Sequence, residues 1–141
     1  HLNRRTAELI ARVKAHAVTD ITGFGLLGHA AEIARHSGVG LQIEAEALPL
    51  LPGALSYARR GIVPGGLKRN RDYLETGGYV RYAASVEEPL RLLLHDPQTS
   101  GGLLIALPAA AAALLQAHCT EVGELCVAIG SVVEGGGIIV A

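Results

Sequence analysis

Residues Thr19–His29 read TDITGFGLLGH, and what the glycines of this stretch are for decides how the rest of the chain is understood. Gly23, Gly25 and Gly28 spell G-x-G-x-x-G, a helix-like pattern follows, and Glu44 closes the next strand-like run. That is the outline of a dinucleotide fingerprint. Such a site, however, runs a long buried strand straight into its first glycine, and here Thr19, Asp20, Ile21 and Thr22 stand in that place. An anionic Asp20 three residues before the turn repels a pyrophosphate unless a divalent cation lies between them. Aspartate, then threonine, then glycines at a helix start is also a way to hold Mg²⁺ together with nucleotide phosphates. Asp20 would take the metal, while Thr22 and the N–H groups of Gly23 and Gly25 face the phosphate oxygens. A third reading makes Asp20 or Thr22 a simple helix N-cap and uses the glycines for close helix–sheet packing. Spacing alone leaves all three open.

Two other segments carry chemistry. HDPQTSGGLLIAL, His95–Leu107, contains a polar turn, Thr99, Ser100, Gly101 and Gly102, running into a strand. Such a turn presents N–H groups to an anion or serves as a plain connector. VPGGLKRN, Val63–Asn70, places Lys68, Arg69 and Asn70 in a glycine-rich loop, as phosphate contacts or as a solvated charged loop. His16, His29, His36, His95 and His118 show no triad or metal-ligand spacing. His29 falls on the polar face of its helix as an exposed residue or a helix-surface hydrogen bonder. Cys119 and Cys126 have no second pair and no histidine at ligand spacing, which reads as two reduced thiols of a cytosolic protein.

Outward from these motifs, helices and strands interleave. Asn3–Lys14 has an apolar stripe of Leu2, Leu9, Ile10 and Val13. A strand over AHAVTDIT, a helix over Gly23–His36 capped by Gly38, and a strand over VGLQIEAE follow. Pro52 and Gly61 bracket a short helix, and VPGGLKRNRDYLETGG reads as loop with at most one helical turn. YVRYAASV is a strand and EEPLRLLLHD a short helix with Glu87 and Glu88 at its positive end. LLIALP is a buried strand, and Pro108 opens an alanine-rich helix to about Cys119. VGELCVAIGSVV and GGIIVA read as two strands of a hairpin. The expected fold is α+β, a mixed β-sheet covered by helices, rather than a doubly wound parallel sheet.

Composition fits one domain of 141 residues with an aliphatic interior: half the residues are hydrophobic, only 4% are aromatic, and Met and Trp are absent. A formal net charge of -1 argues against a nucleic-acid binder. GGLLIALPAAAAALLQA is split by Pro108 into halves too short to span a membrane, so no membrane partner is expected. A chain that opens on HLNRRTAELI, without Met and inside a helix, reads as part of a longer protein.

Taken together, TDITGFGLLGHAAEIA, LPLLPGALSYARRGIVPGGLKRNRDYL and DPQTSGGLLIALP, in that order and spacing, resemble the C-terminal half of the selenophosphate synthetases (selenide, water dikinases). These belong to the aminoimidazole ribonucleotide synthetase superfamily, and the resemblance runs from about Thr6 to Val133. It implies an enzyme that converts selenide, ATP and water into selenophosphate, AMP and phosphate with Mg²⁺. It also implies a cytoplasmic homodimer whose N-terminal half holds most of the ATP site, with this C-terminal domain, residues 1–141, closing over it. The reactive cysteine or selenocysteine and its lysine belong to that N-terminal half, so no catalytic nucleophile is expected here. Carried onto this chain, the resemblance makes Asp20 a Mg²⁺ ligand and Thr22, Gly23 and Gly25 neighbours of the phosphates. Asn70 and the turn Thr99, Ser100 and Gly101 it puts at or near the cleft. Leu67 departs from the pattern, since a small polar residue, typically Thr, is expected after PGG. The rivals are a sister ATP-dependent enzyme of the purine-pathway or thiamin-phosphate kinase type, and a binding module without catalysis.

Overall fold

In the computed structural model, residues 3–141 are described, and their periodicities resolve into two sheets packed with helices. Leu2, the first residue of the expected N-terminal stripe, lies outside them. The elements in chain order are α1 (Arg4–Ile10), β1 (Ala17–Asp20), α2 (Gly25–Ser37), β2 (Gly40–Ile43), a 3₁₀ turn (Ala45–Ala47), α3 (Ala54–Arg59), α4 (Gly65–Thr76) and β3 (Val80–Tyr82). They continue with α5 (Glu88–Leu94), β4 (Leu103–Ala106), α6 (Ala109–Glu121), β5 (Gly130–Val133) and β6 (Gly137–Val140). The expected class, α+β with helices covering a mixed sheet, is the one observed. No described helix is long and apolar enough to cross a membrane.

The larger sheet has the order β3-β6-β2-β5, with β2 antiparallel to β5 and parallel to β6, and β3 parallel to β6. Period-two alternation sends Leu41, Ile43, Ile138, Val140 and Val80 to one face. There they meet Leu27, Ala30 and Ala34 of α2, Leu74 of α4 and Leu94 of α5. Each such fully buried aliphatic side chain contributes about 1.5–3 kcal/mol relative to exposure. The opposite face carries Gln42, Ile139 and Arg81, all exposed. A satellite cluster of Leu9, Leu115 and Cys119 ties α1 to α6, with Ile105, Leu107 and Cys126 against it. Burial and the neighbouring Cys126 push the Cys119 thiol up to about 11, so it stays protonated and unreactive.

Three expectations need correction. β5 and β6 are not a hairpin, because β2 lies between them. The three-residue link Glu134–Gly136 passes beneath the N-terminal end of β2, which works because position 40 is glycine. A Cβ there would stand 3.0 Å from Val133 Cγ2, 3.5 Å from the Glu134 carbonyl oxygen and 3.6 Å from the Gly136 nitrogen. VPGGLKRNRDYLET is not a loop but the twelve-residue helix α4, with Pro64 as N-cap in extended conformation and Leu67 and Leu74 buried. Leu67, the departure from the family pattern, is fully buried and anchors that helix. LLIALP does not form a buried strand: β4 is half-buried throughout, as half of a two-stranded antiparallel sheet with β1.

Candidate functional site

The registers that build the small sheet also assemble the site. Asp20, the last residue of β1, pairs with Leu103, the first of β4. The ladder then continues beyond both strands, with Ile21 N–H donating to the Gly102 carbonyl (2.9 Å) and Gly101 N–H to the Ile21 carbonyl (2.9 Å). This lays the TDITGFG segment alongside the DPQTSGG segment. Gly101 is pressed so closely onto Ile21 that a Cβ would come within 2.8 Å of its Cγ2. At the next step the Thr22 carbonyl accepts from the N–H groups of Gly25 (3.1 Å) and Gln98 (3.0 Å).

Asn70 closes the arrangement from a third direction. Its Nδ2 donates to the Gly23 carbonyl and to the His95 carbonyl, each at 3.0 Å. Its side chain reaches both because it lies three residues after Leu67 and four before Leu74, on the inward side of α4. With both amide hydrogens engaged by main-chain carbonyls, Asn70 braces one loop against the other. Gly25 makes that contact possible from the opposite side: its φ is +69°, and an added Cβ would lie 2.7 Å from the His95 carbonyl carbon and 2.9 Å from its oxygen.

These bonds give the loop a direction. The carbonyls of Ile21, Thr22 and Gly23 turn inward and are satisfied. Among the described residues, the N–H groups of Gly23 and Phe24 have no partner, and both residues are exposed. α2 begins with Phe24 as N-cap and no side-chain cap, so neither Asp20 nor Thr22 is its N-cap, and the Gly25 N–H, expected to face phosphate, is instead taken by the Thr22 carbonyl. Unpaired N–H groups at the start of a thirteen-residue helix form a region receptive to anions. Asp20 is exposed at its edge, and among the described residues its carboxylate has no partner.

The structure thus brings together Asp20, Thr22, Gly23, Gly25, Asn70 and Gly101, with Thr99 and Ser100 exposed on the same turn. It does not add Lys68 or Arg69, which are exposed on the surface of α4. For Mg²⁺ the fit is partial: Asp20 supplies one free carboxylate, and no group of three or more His, Cys, Asp or Glu among the described residues could enclose an ion.

Of the two readings open to His29 the structure takes the helix-surface hydrogen bonder, whereas the burial of His95 went unread. His29 Nε2 accepts from the Thr22 N–H at 3.0 Å and lies 3.1 Å from Thr22 Oγ1. The signal was available, since a helical side chain leans toward the N-terminus and position 29 is one turn into α2. His95 is fully buried, its Nε2 2.6 Å from Tyr82 Oη, and its Nδ1 has no partner. Burial, reinforced by the Arg71 charge, lowers its pKa from 6.5 to about 4, so it is neutral at pH 7. Because the folded value lies below the unfolded one, the unfolded chain binds more protons between those limits. Stability is complete above pH 6.5 and falls as pH drops toward 4. We expect a loss of about 3 kcal/mol between pH 7 and 4 from this group, absent in His95→Gln, read from urea unfolding at a series of pH values.

The same loops locate the chain among known proteins. The family described as AIR synthase related protein, C-terminal domain, matches residues 2–141. The chain belongs to that family. Within it, this AIR synthase related C-terminal domain is 50% identical over 132 residues to a selenide, water dikinase of Trichlorobacter lovleyi, covering 93% of this chain and 37% of that protein. The domain therefore spans little more than a third of the relative it matches. In structure it superposes on Escherichia coli HypE, a hydrogenase maturation protein, with a TM-score of 0.64 and 24% identity, over 97% of this chain and 34% of that one. Against thiamine-monophosphate kinase of Stenotrophomonas maltophilia the TM-score is 0.57 at 19% identity, over 89% and 31%. Those two likenesses establish the fold alone.

Proposed function

We propose that this domain is the C-terminal part of a selenophosphate synthetase, a cytoplasmic enzyme making selenophosphate, AMP and phosphate from selenide, ATP and water. The observation that carries this reading is the 50% identity to a selenide, water dikinase across 93% of the chain. The site geometry supports it, since a loop with its carbonyls turned in and N–H groups turned out suits polyphosphate.

In this reading Asp20 supplies one ligand to Mg²⁺, which when bound neutralises the charge concentrated on the phosphates. The N–H groups of Gly23 and Phe24 and the first turn of α2 orient the phosphate oxygens, and Thr99, Ser100 and Gly101 border them. The remaining carboxylates, the nucleophile and the lysine come from an N-terminal domain of the same protein, which acts as a homodimer.

The test is an assay of the whole protein carrying this domain, with Mg-ATP and selenide, following selenophosphate and AMP by phosphorus NMR. Phosphorylation of thiamin monophosphate with no response to selenide would move the protein to a sister enzyme. Residues 1–141 alone are expected to bind Mg²⁺ weakly and to form no selenophosphate, because one carboxylate is a poor Mg²⁺ site. Selenophosphate formation by the isolated chain would refute the division of the site.

A further inference from the structure

The mechanism just described leaves one half-buried group at the loop without a task. His29 places Nε2 3.0 Å from the Thr22 N–H and 3.1 Å from Thr22 Oγ1, and its ring lies 5.6 Å from that of Phe24. An amide N–H can only donate, so Nε2 is the acceptor and the ring proton sits on Nδ1. That bond holds the N–H end of the Ile21–Thr22 peptide, whose carbonyl end is held by the Gly101 N–H, and together they fix which way the peptide faces. Thr22 stands between Asp20 and Gly23, so turning its peptide would disturb the metal ligand on one side and the outward N–H groups on the other. Asn70 holds Gly23 by its carbonyl, and Gln98 holds Thr22 by its carbonyl. No other described residue holds Thr22 by its N–H.

We propose that His29 is a positioning residue for the phosphate loop: by accepting the Thr22 N–H it keeps the N–H groups of Gly23 and Phe24 aimed at the phosphate oxygens and Asp20 toward the cation they carry. The role rests on the selenophosphate synthetase reading and extends it to a residue that touches no substrate. Because it acts on the ground-state loop, its loss is felt in the binding of Mg-ATP more than in turnover.

The experiment compares His29→Ala and His29→Gln in the whole protein, since the glutamine amide oxygen offers an acceptor at about the reach of Nε2. His29→Ala is expected to raise KM for Mg-ATP by about tenfold, the scale of one hydrogen bond, with kcat changed by less than about threefold. His29→Gln is expected to restore KM to near the parent value. Hydrogen–deuterium exchange over Thr19–His29 gives a readout independent of activity, with protection lost in the alanine variant and kept in the glutamine one. A folded His29→Ala protein with unchanged KM overturns the proposal, as does a glutamine variant no better than alanine. If the parent itself makes no selenophosphate, the functional reading has failed first and takes this role with it.

Discussion

Asp20→Asn in the whole protein is expected to reduce Mg²⁺-dependent selenophosphate formation by roughly 10²–10³-fold, the scale of removing one charge-stabilising group from a reacting site. The fold should survive. Asp20 is exposed at the end of β1, its carboxylate has no partner among the described residues, and its main-chain register to Leu103 does not involve that carboxylate. Thermal or urea unfolding should therefore shift by no more than about 0.5 kcal/mol. Magnesium titration of the residual activity separates a lost ligand from a lost substrate contact, since only the former moves the metal requirement. Unchanged activity would remove Asp20 from the site.

Gly25→Ala should do the opposite and damage the fold itself. The new methyl meets the His95 carbonyl carbon at 2.7 Å and its oxygen at 2.9 Å, and the residue must keep a φ of +69°. Main chain cannot swing aside as a flexible side chain does, so we expect a loss of at least about 3 kcal/mol. The Asn70 bonds to Gly23 and His95 should fail with it, and with them Mg-ATP binding. Gly38→Ala is the control: φ is +65°, but nothing lies within 4 Å of the added Cβ. It should lose only the left-handed penalty of about 1–2 kcal/mol. Equal losses at both positions would mean that the two loops are not packed as described.

Much of this was legible in the chain. Gly38 as the C-cap of α2, Glu87 and Glu88 at the start of α5 and Pro108 ahead of α6 obey local rules, and the structure follows them. Asp20 stood out because it contradicts the glycine pattern beside it. What escaped was non-local. Pro64, Gly65 and Gly66 read as loop punctuation, yet the buried Leu67 and Leu74 hold α4 in place, and the bracing role of Asn70 exists only on a helix. A three-residue glycine link between two strand-like runs normally joins neighbours, and nothing near residues 130–140 announces that β2, some ninety residues earlier, lies between them. The burial of His95 likewise depends on Tyr82 and Gly25 arriving from distant parts of the chain.

That interposed strand also bears on how the domain is made. β6 is an inner strand of the larger sheet and the latest of the described elements to leave the ribosome. Until Gly137–Val140 emerge, β2 and β3 have no common neighbour, and Leu41, Ile43 and Val80 stand beside unpaired backbone. The sheet therefore closes only after synthesis of these residues, through pairings separated by nearly a hundred positions, and such non-local pairing is slow. During that interval the nascent chain offers a sticky sheet edge, which makes chaperone engagement a foreseeable part of its biogenesis.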